Sequence, residues 1–228
     1  MSGSADHDVK FWEFELVTET NEDGQAVRRV TIVHTRTLQM TDEVLALRCS
    51  PDGKLIAVAL LDSTVKVFYL DTLKFFLSLY GHKLPVMSLD ISSDSTLLIS
   101  GREKKKGQQI IIERNELLGS ADKTVKIWGL DFGDCHRSLL AHADAVTGVQ
   151  FVPNTHYFFS SGKDKLVKHW DGDKFELIQK LGEPVTHFGV VWSLAVSRLG
   201  DMVVSGGADR ALRIAERSDE QVPISKLL

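Results

Sequence analysis

Helical spacing is missing from this chain: no segment repeats apolar residues at intervals of three and four, whereas short alternating runs bounded by Asp, Gly and Ser recur throughout. Long apolar stretches are missing too. The longest, Leu55 to Leu61, falls far short of the roughly 20 residues that cross a bilayer as a helix, and no charged segment leads into an apolar one at the start. Both features speak against secretion and membrane insertion. Cysteine is scarce. Cys49 and Cys135 are the two present, too few for a disulfide framework or a zinc ligand set, which points to a reducing compartment, cytosol or nucleus. Charge of one sign is not in excess either. The 27 Lys and Arg face 31 Asp and Glu for a net charge of −4, so a general electrostatic grip on RNA is not expected.

What is present is a globular composition, 43% apolar and 25% charged, with enough apolar material for a sizeable core, and one short phrase written five times. The copies begin at Asp6, Asp62, Asp122, Asp164 and Asp209, and the clearest reads Asp122-Lys123-Thr124-Val125-Lys126-Ile127-Trp128. Their spacings are 56, 60, 42 and 45 residues, and the last two match the ~40–45 residues of a four-stranded propeller blade. A second ruler explains the long third copy. Val44, Val146 and Val191 each precede their aspartate by 18 residues, but Val86 precedes Asp122 by 36. An extra 18 residues, Arg102 to Gly119, therefore interrupt that copy. Two readings of the insertion stand, a family-specific loop and translated intron sequence. The other long gap comes from Val17 to Met40, polar and rich in Thr and charge, which is expected to lengthen one connection between strands.

Each unit reads as four short strands, a to d. In the unit that holds the insertion these are Val86 to Ile91, Leu97 to Ser100, Thr124 to Trp128 and Cys135 to Leu140. The expected organisation is a trailing half-blade and extended connection over 1–40, four blades over 41–217 beginning near residues 42, 85, 145 and 190, and a polar tail over 218–228. The expected fold class is all-β: an incomplete β-propeller of about four and a half blades, where propellers use about 4 to 8.

A polar set recurs in register. His142 and His187 lie 22 residues before Asp164 and Asp209, and His82 lies at the same offset from Asp122 once the insertion is subtracted. Ser160 and Ser205 precede the same aspartates by 4 residues, with Ser100 in that place in the interrupted unit, and Trp128 and Trp170 close their copies. Ser, His and Asp together invite a catalytic triad. Repetition argues otherwise, because a catalytic set is needed once, whereas a buried hydrogen-bond network tying the b–c turn to the d–a loop is needed in every blade. His82, Ser100, Asp122, Trp128, His142, Ser160, Asp164, Trp170, His187, Ser205 and Asp209 are accordingly read as a structural network. No residue is assigned to catalysis, and no cofactor or metal is expected.

Gly81-His82, Ser120-Ala121-Asp122 and Val125-Lys126-Ile127-Trp128 are elements of WD repeats. The runs Leu70 to Pro85 and Lys126 to His136 are more specific, and with them residues 2 to about 217 resemble the second propeller of the WD-repeat-containing protein three ("U three protein twelve") family of the small-subunit processome. That resemblance implies a ring of seven blades in the intact family member. It also implies a nucleolar scaffold in snoRNP-guided pre-rRNA processing and small ribosomal subunit biogenesis. Its partners would be other processome WD-repeat proteins, with snoRNA and pre-rRNA met indirectly and neither a membrane nor a small-molecule substrate involved. It further implies that the chain opens within a blade, without the family's N-terminal propeller and helical C-terminal region. Against the family pattern, Ala215 stands in the Trp place, Met40 and Phe68 replace His and Trp, and His169 takes the place of Ile127.

Other features have plainer readings. Arg102 to Lys106 could bind RNA or direct nuclear import, but it is short and diluted by Glu103, so a solvated loop is favoured. Trp192 and the pairs Phe75-Phe76 and Phe158-Phe159 could stack on bases, but alternating strands favour blade core or packing between blades. The leading function class is therefore an interaction scaffold. The alternative is a WD adaptor that reads a peptide or recruits a substrate, for example to a ubiquitin ligase, and an enzyme comes third.

Overall fold

The structure is a computed structural model that describes residues 1–20, 25–102, 123–182, 187–216 and 226–227. Within these residues every regular element is a β-strand and no helix occurs. The strands form separate sheets of consecutive neighbours, not one closed sheet, and the fold is an incomplete WD-repeat propeller.

Residues Met1–Val44 form one compact unit and Leu45–Leu228 another. In the first, β1 (Ser2–Gly3), β2 (Asp8–Thr20) and β3 (Ala26–Gln39) make a three-stranded sheet. Here the structure corrects the sequence reading of Val17 to Met40. Much of that stretch is not a connection but ladder, paired from Asp8↔Gln39 to Thr20↔Ala26 with one bulge between Phe11 and Trp12. β-Branched residues such as Val27, Val30, Thr31, Ile32 and Val33 suit an extended strand despite the intervening charges.

Four four-stranded blades follow. Blade one has β4 (Val44–Cys49), β5 (Leu55–Leu60), β6 (Val65–Tyr69) and β7 (Phe75–Leu79). Blade two has β8 (Val86–Ile91), β9 (Leu97–Arg102), β10 (Thr124–Gly129) and β11 (Cys135–Leu140). Blade three has β12 (Val146–Phe151), β13 (Tyr157–Gly162), β14 (Val167–Asp171) and β15 (Glu176–Leu181). Blade four has β16 (Val191–Val196), β17 (Met202–Gly207), β18 (Leu212–Glu216) and β19 (Lys226–Leu227). In blade two, strand b runs two residues beyond the expected Ser100, and Arg102 pairs with Val86 as Gly162 pairs with Val146 and Gly207 with Val191. Most of the insertion, 103–119, lies outside the described residues, as does Asp122. From the expected tail, Lys226 and Leu227 pair with Glu216 and Ala215 as the fourth strand of blade four, and the rest of 218–228 lies outside the described residues.

The core is divided among the gaps between blades. Ala57, Val65 and Leu79 of blade one pack with Val86, Leu98 and Trp128 of blade two. On blade two's other face, Ile99, Val125 and Ile127 meet Val149, Phe158 and Trp170 of blade three, whose Phe159 and Val167 meet Val191 and Val203 of blade four. Period-two alternation thus gives inner strands β5 and β13 two buried faces, whereas β18 of blade four buries Ala215 alone. Phe158 and Phe159 are core, as expected, but Trp192 and Phe75 are not: they are 54% and 56% exposed. Phe75 opens an outermost strand, where its ring meets Phe68 edge-on at 5.8 Å, and Trp192 alternates with the buried Val191 and lies under the Lys163 ammonium at 5.8 Å.

Candidate functional site

Blade three brings four predicted residues into one chain of hydrogen bonds. The Trp170 indole N–H donates to Ser160 Oγ at 2.8 Å, Ser160 Oγ lies 2.8 Å from His142 Nε2, and His142 Nδ1 lies 2.8 Å from Asp164 Oδ1. One neutral imidazole satisfies every atom: Nδ1–H donates to the carboxylate and Nε2 accepts the serine hydroxyl, whose oxygen accepts the indole. Asp164 also accepts the amides of Ala143 at 2.8 Å and Leu166 at 3.3 Å. The carboxylate therefore joins the loop before strand a to the b–c turn. Burial pushes its pKa up, but the His142 bond and the two amides outweigh this and leave it below the usual value.

The other blades repeat parts of the chain. In blade two, His82 Nε2 lies 2.6 Å from Ser100 Oγ, which accepts the Trp128 indole at 2.9 Å. In blade four, His187 Nε2 lies 2.8 Å from Ser205 Oγ, and its Nδ1 is 3.1 Å from each oxygen of Asp209. His187, followed by the amides of Phe188 and Ala211, holds Asp209 well below the usual carboxylate range. Backbone glycine makes room for the His–Asp contact. A Cβ on Gly162 would come within 2.6 Å of His142 Nδ1, and one on Gly207 within 2.5 Å of His187 Nδ1. Ser100 and Ser160 are completely buried. A triad's bonds are therefore present without access for a substrate to the hydroxyl.

The family profile described as "WDR3 second beta-propeller domain" matches residues 1–222. The chain belongs to that family. It is similar to WD repeat-containing protein 3 of Mus musculus, 60% identical over 86 residues, which are 38% of this chain and 9% of that protein. U3 small nucleolar RNA-associated protein 12 of Saccharomyces cerevisiae is 51% identical over 94 residues, covering 40% of this chain and 10% of that protein. The matched part thus spans about a tenth of the length of these curated relatives. The solved structures of U3-55K and of the RRP9 WD40 repeats each superpose with a TM-score of 0.65 at 23% identity, over 81% of this chain and 50% of theirs, a likeness of fold alone.

This member of the WDR3 family keeps the polar chain unevenly. By sequence offset the His, Ser and Trp places of the Asp62 unit are held by Met40, Val58 and Phe68, and each is buried. Replacing all three polar partners together orphans none of them, while Asp62 still accepts the Thr64 amide at 2.9 Å. In blade four, Ala215 provides no indole donor for Ser205, and Arg213 Nη2 approaches Asp209 Oδ2 at 3.4 Å instead. His169, in the place of Ile127, stacks on Phe159 with centroids 4.6 Å apart.

Two sets escaped the sequence reading. Ser2 precedes Asp6 by the same 4 residues as the other serines, and its Oγ accepts the Trp12 indole at 2.9 Å, so the first unit repeats the Ser–Trp contact. That signal was legible. The second set stitches neighbouring strands a together. Arg48, Asp90 and Gln150 share one offset from Val44, Val86 and Val146. Arg48 Nε donates to Asp90 Oδ1 at 2.6 Å, Asp90 Oδ2 accepts the Phe151 amide at 2.8 Å, and Gln150 Oε1 accepts the Val196 amide at 3.0 Å. Burial raises the Asp90 pKa, against the opposing pull of Arg48. Because the residue type differs in each blade, a search for identical copies passes over this set.

Proposed function

We propose that the chain is a non-catalytic interaction scaffold, a propeller segment of a WD-repeat ribosome-biogenesis protein that acts in the small-subunit processome of the nucleolus. One observation carries the non-catalytic part: the same His–Ser contact is built in three blades, with serine hydroxyls buried in each. A reacting set is needed once and needs access, whereas a framework is needed in every blade. The polar network that recurs from blade to blade is therefore proposed to hold blades in shape so that their turns and rims present fixed surfaces. The processome assignment rests on family membership and on the association with U3 small nucleolar RNA that the yeast relative's name carries. A balanced charge supports protein partners, other processome WD-repeat proteins, with snoRNA and pre-rRNA reached through them.

The test is affinity purification of the tagged chain from nucleolar extract, with mass spectrometry and snoRNA detection. Processome WD-repeat proteins and U3 snoRNA are expected above control, and zero-length ultraviolet cross-linking is expected to leave no RNA on the chain itself. Recovery of ubiquitin-ligase subunits in their place would overturn the assignment in favour of the adaptor reading.

A further inference from the structure

Between blades one and two, on the side that carries the a–b and c–d turns, lies a groove of about 680 Å³. Its apolar lining is made by Leu55, Tyr69, Phe76, Leu97 and Leu130. Tyr69 and Phe76 form one wall as a tilted pair with centroids 5.0 Å apart, and Tyr69 is 41% exposed. The rim has the opposite character. Asp52, Asp71 and Asp131 contribute three carboxylates, and Lys54 is the single ammonium among the lining residues. The turns hold these carboxylates in place: Asp52 Oδ1 accepts the Lys54 amide at 3.1 Å, Asp71 Oδ1 the Thr72 amide at 2.6 Å, and Asp131 Oδ1 the Phe132 amide at 3.0 Å. The Ser50 hydroxyl, bonded to Asp52, brings that carboxyl down to about 2, so it is charged at neutral pH.

We propose that this groove binds an extended segment of a partner protein in which one apolar side chain is flanked by Lys or Arg. The apolar residue enters between Tyr69, Phe76 and Leu97, and the flanking cations meet the rim carboxylates. An apolar lining supplies affinity, and fixed charges around it select sign and register. Successive side chains of an extended peptide point to opposite sides at ~3.3 Å per residue, so residues flanking the inserted one are placed to reach the rim. Phosphates of a nucleic acid would be repelled by the same carboxylates. The proposal rests on the scaffold reading and deepens it by naming one surface and the chemistry of its partner.

The probe is the photoreactive peptide acetyl-Lys-Arg-benzoylphenylalanine-Arg-Lys-amide, irradiated with the full chain and mapped by mass spectrometry. Adducts are expected at Tyr69, Phe76, Leu97 and Leu130. Asp52→Asn combined with Asp131→Asn keeps oxygen acceptors for the turn amides and is expected to lower the yield about fivefold, in line with roughly 1 kcal/mol of exposed pairing. Lys54→Ala is expected to raise it, which a folding defect would not do. Scattered adducts, equal labelling by a Glu-flanked version, or a yield insensitive to these substitutions would overturn the proposal. No processome component takes part, so failure here is separable from failure of the co-purification.

Discussion

The Asp90 carboxylate accepts the Phe151 amide at 2.8 Å from across the boundary between blades two and three. With Arg48 on its other oxygen, this one side chain touches three consecutive strands a. A buried acceptor in that position holds the blades in register as well as in contact, because Phe151 can be satisfied only when the two strands are aligned. Asp90→Ala orphans the buried amide and is expected to destabilise the chain by roughly 1–3 kcal/mol. Denaturant unfolding checks this, and an unchanged midpoint would count against a role in alignment.

Asp164→Ala removes the acceptor for His142, Ala143 and Leu166, with an expected loss of about 1–3 kcal/mol. The folded-state pKa of Asp164 lies below its usual value. Its contribution is therefore complete above about pH 4 and is lost as pH falls through the folded value. Thermal unfolding from pH 7 to pH 3 should show a shallower decline in Asp164→Asn than in the parent chain.

His156 titrates with the opposite sign. Its Nδ1 lies 2.7 Å from Asp173 and its Nε2 3.0 Å from Asp94 of blade two, and these carboxylates overcome burial to raise its pKa. The bridge is fully present below about pH 6.5 and weakens as pH rises through the folded value. His156→Gln should remove up to about 1 kcal/mol of stability at pH 6 and flatten the stability profile above it. Unfolding measured in both variants from pH 5.5 to 8.5 tests the sign.

Deleting Arg102 to Gly119 joins Gly101 to Ser120 and puts Ser120 in the ladder place opposite Val86 that Arg102 holds. Gly162 and Gly207 hold the corresponding places in blades three and four, so a small residue suits it. The deletion is expected to preserve folding and to leave the melting temperature equal or higher, since lengthening a loop changes its closure entropy only slowly. Circular dichroism melts of the shortened chain check this, and loss of the β signal would show that the segment belongs to the core.

One face of the β2–β3 hairpin pairs Phe14 with Ile32 and Leu16 with Val30, all four more than half exposed. Carboxylates Glu13, Glu15 and Glu19 alternate with them along β2 and fall on the other face. Such a stripe is a self-association liability. The chain is expected to elute as oligomers, and Phe14→Thr with Ile32→Thr should move it towards monomer by light scattering.

The blades were legible because a four-stranded unit must be written out in full each time it is built. The offset from Val86 to Asp122 exposed the insertion, and the 22-residue offset put His142 and His187 opposite their aspartates before any contact was known. The extended hairpin was not legible in this way. Val17 to Met40 has no second copy to align with, and its Thr and charged residues read as a connection although each can stand on a solvated strand.

Sequence by itself determined the repeat, the strand order within each blade and the identity of the recurring His, Ser, Asp and Trp, since all of these follow from period and offset along the chain. Only tertiary structure decided what lies between blades. The Asp90–Phe151 bond joins residues 61 positions apart, the groove combines turns of two blades, and Trp192 is exposed where alternation suggested burial. Those outcomes depend on how one sheet's twist meets the next, and no spacing within a single blade encodes that angle.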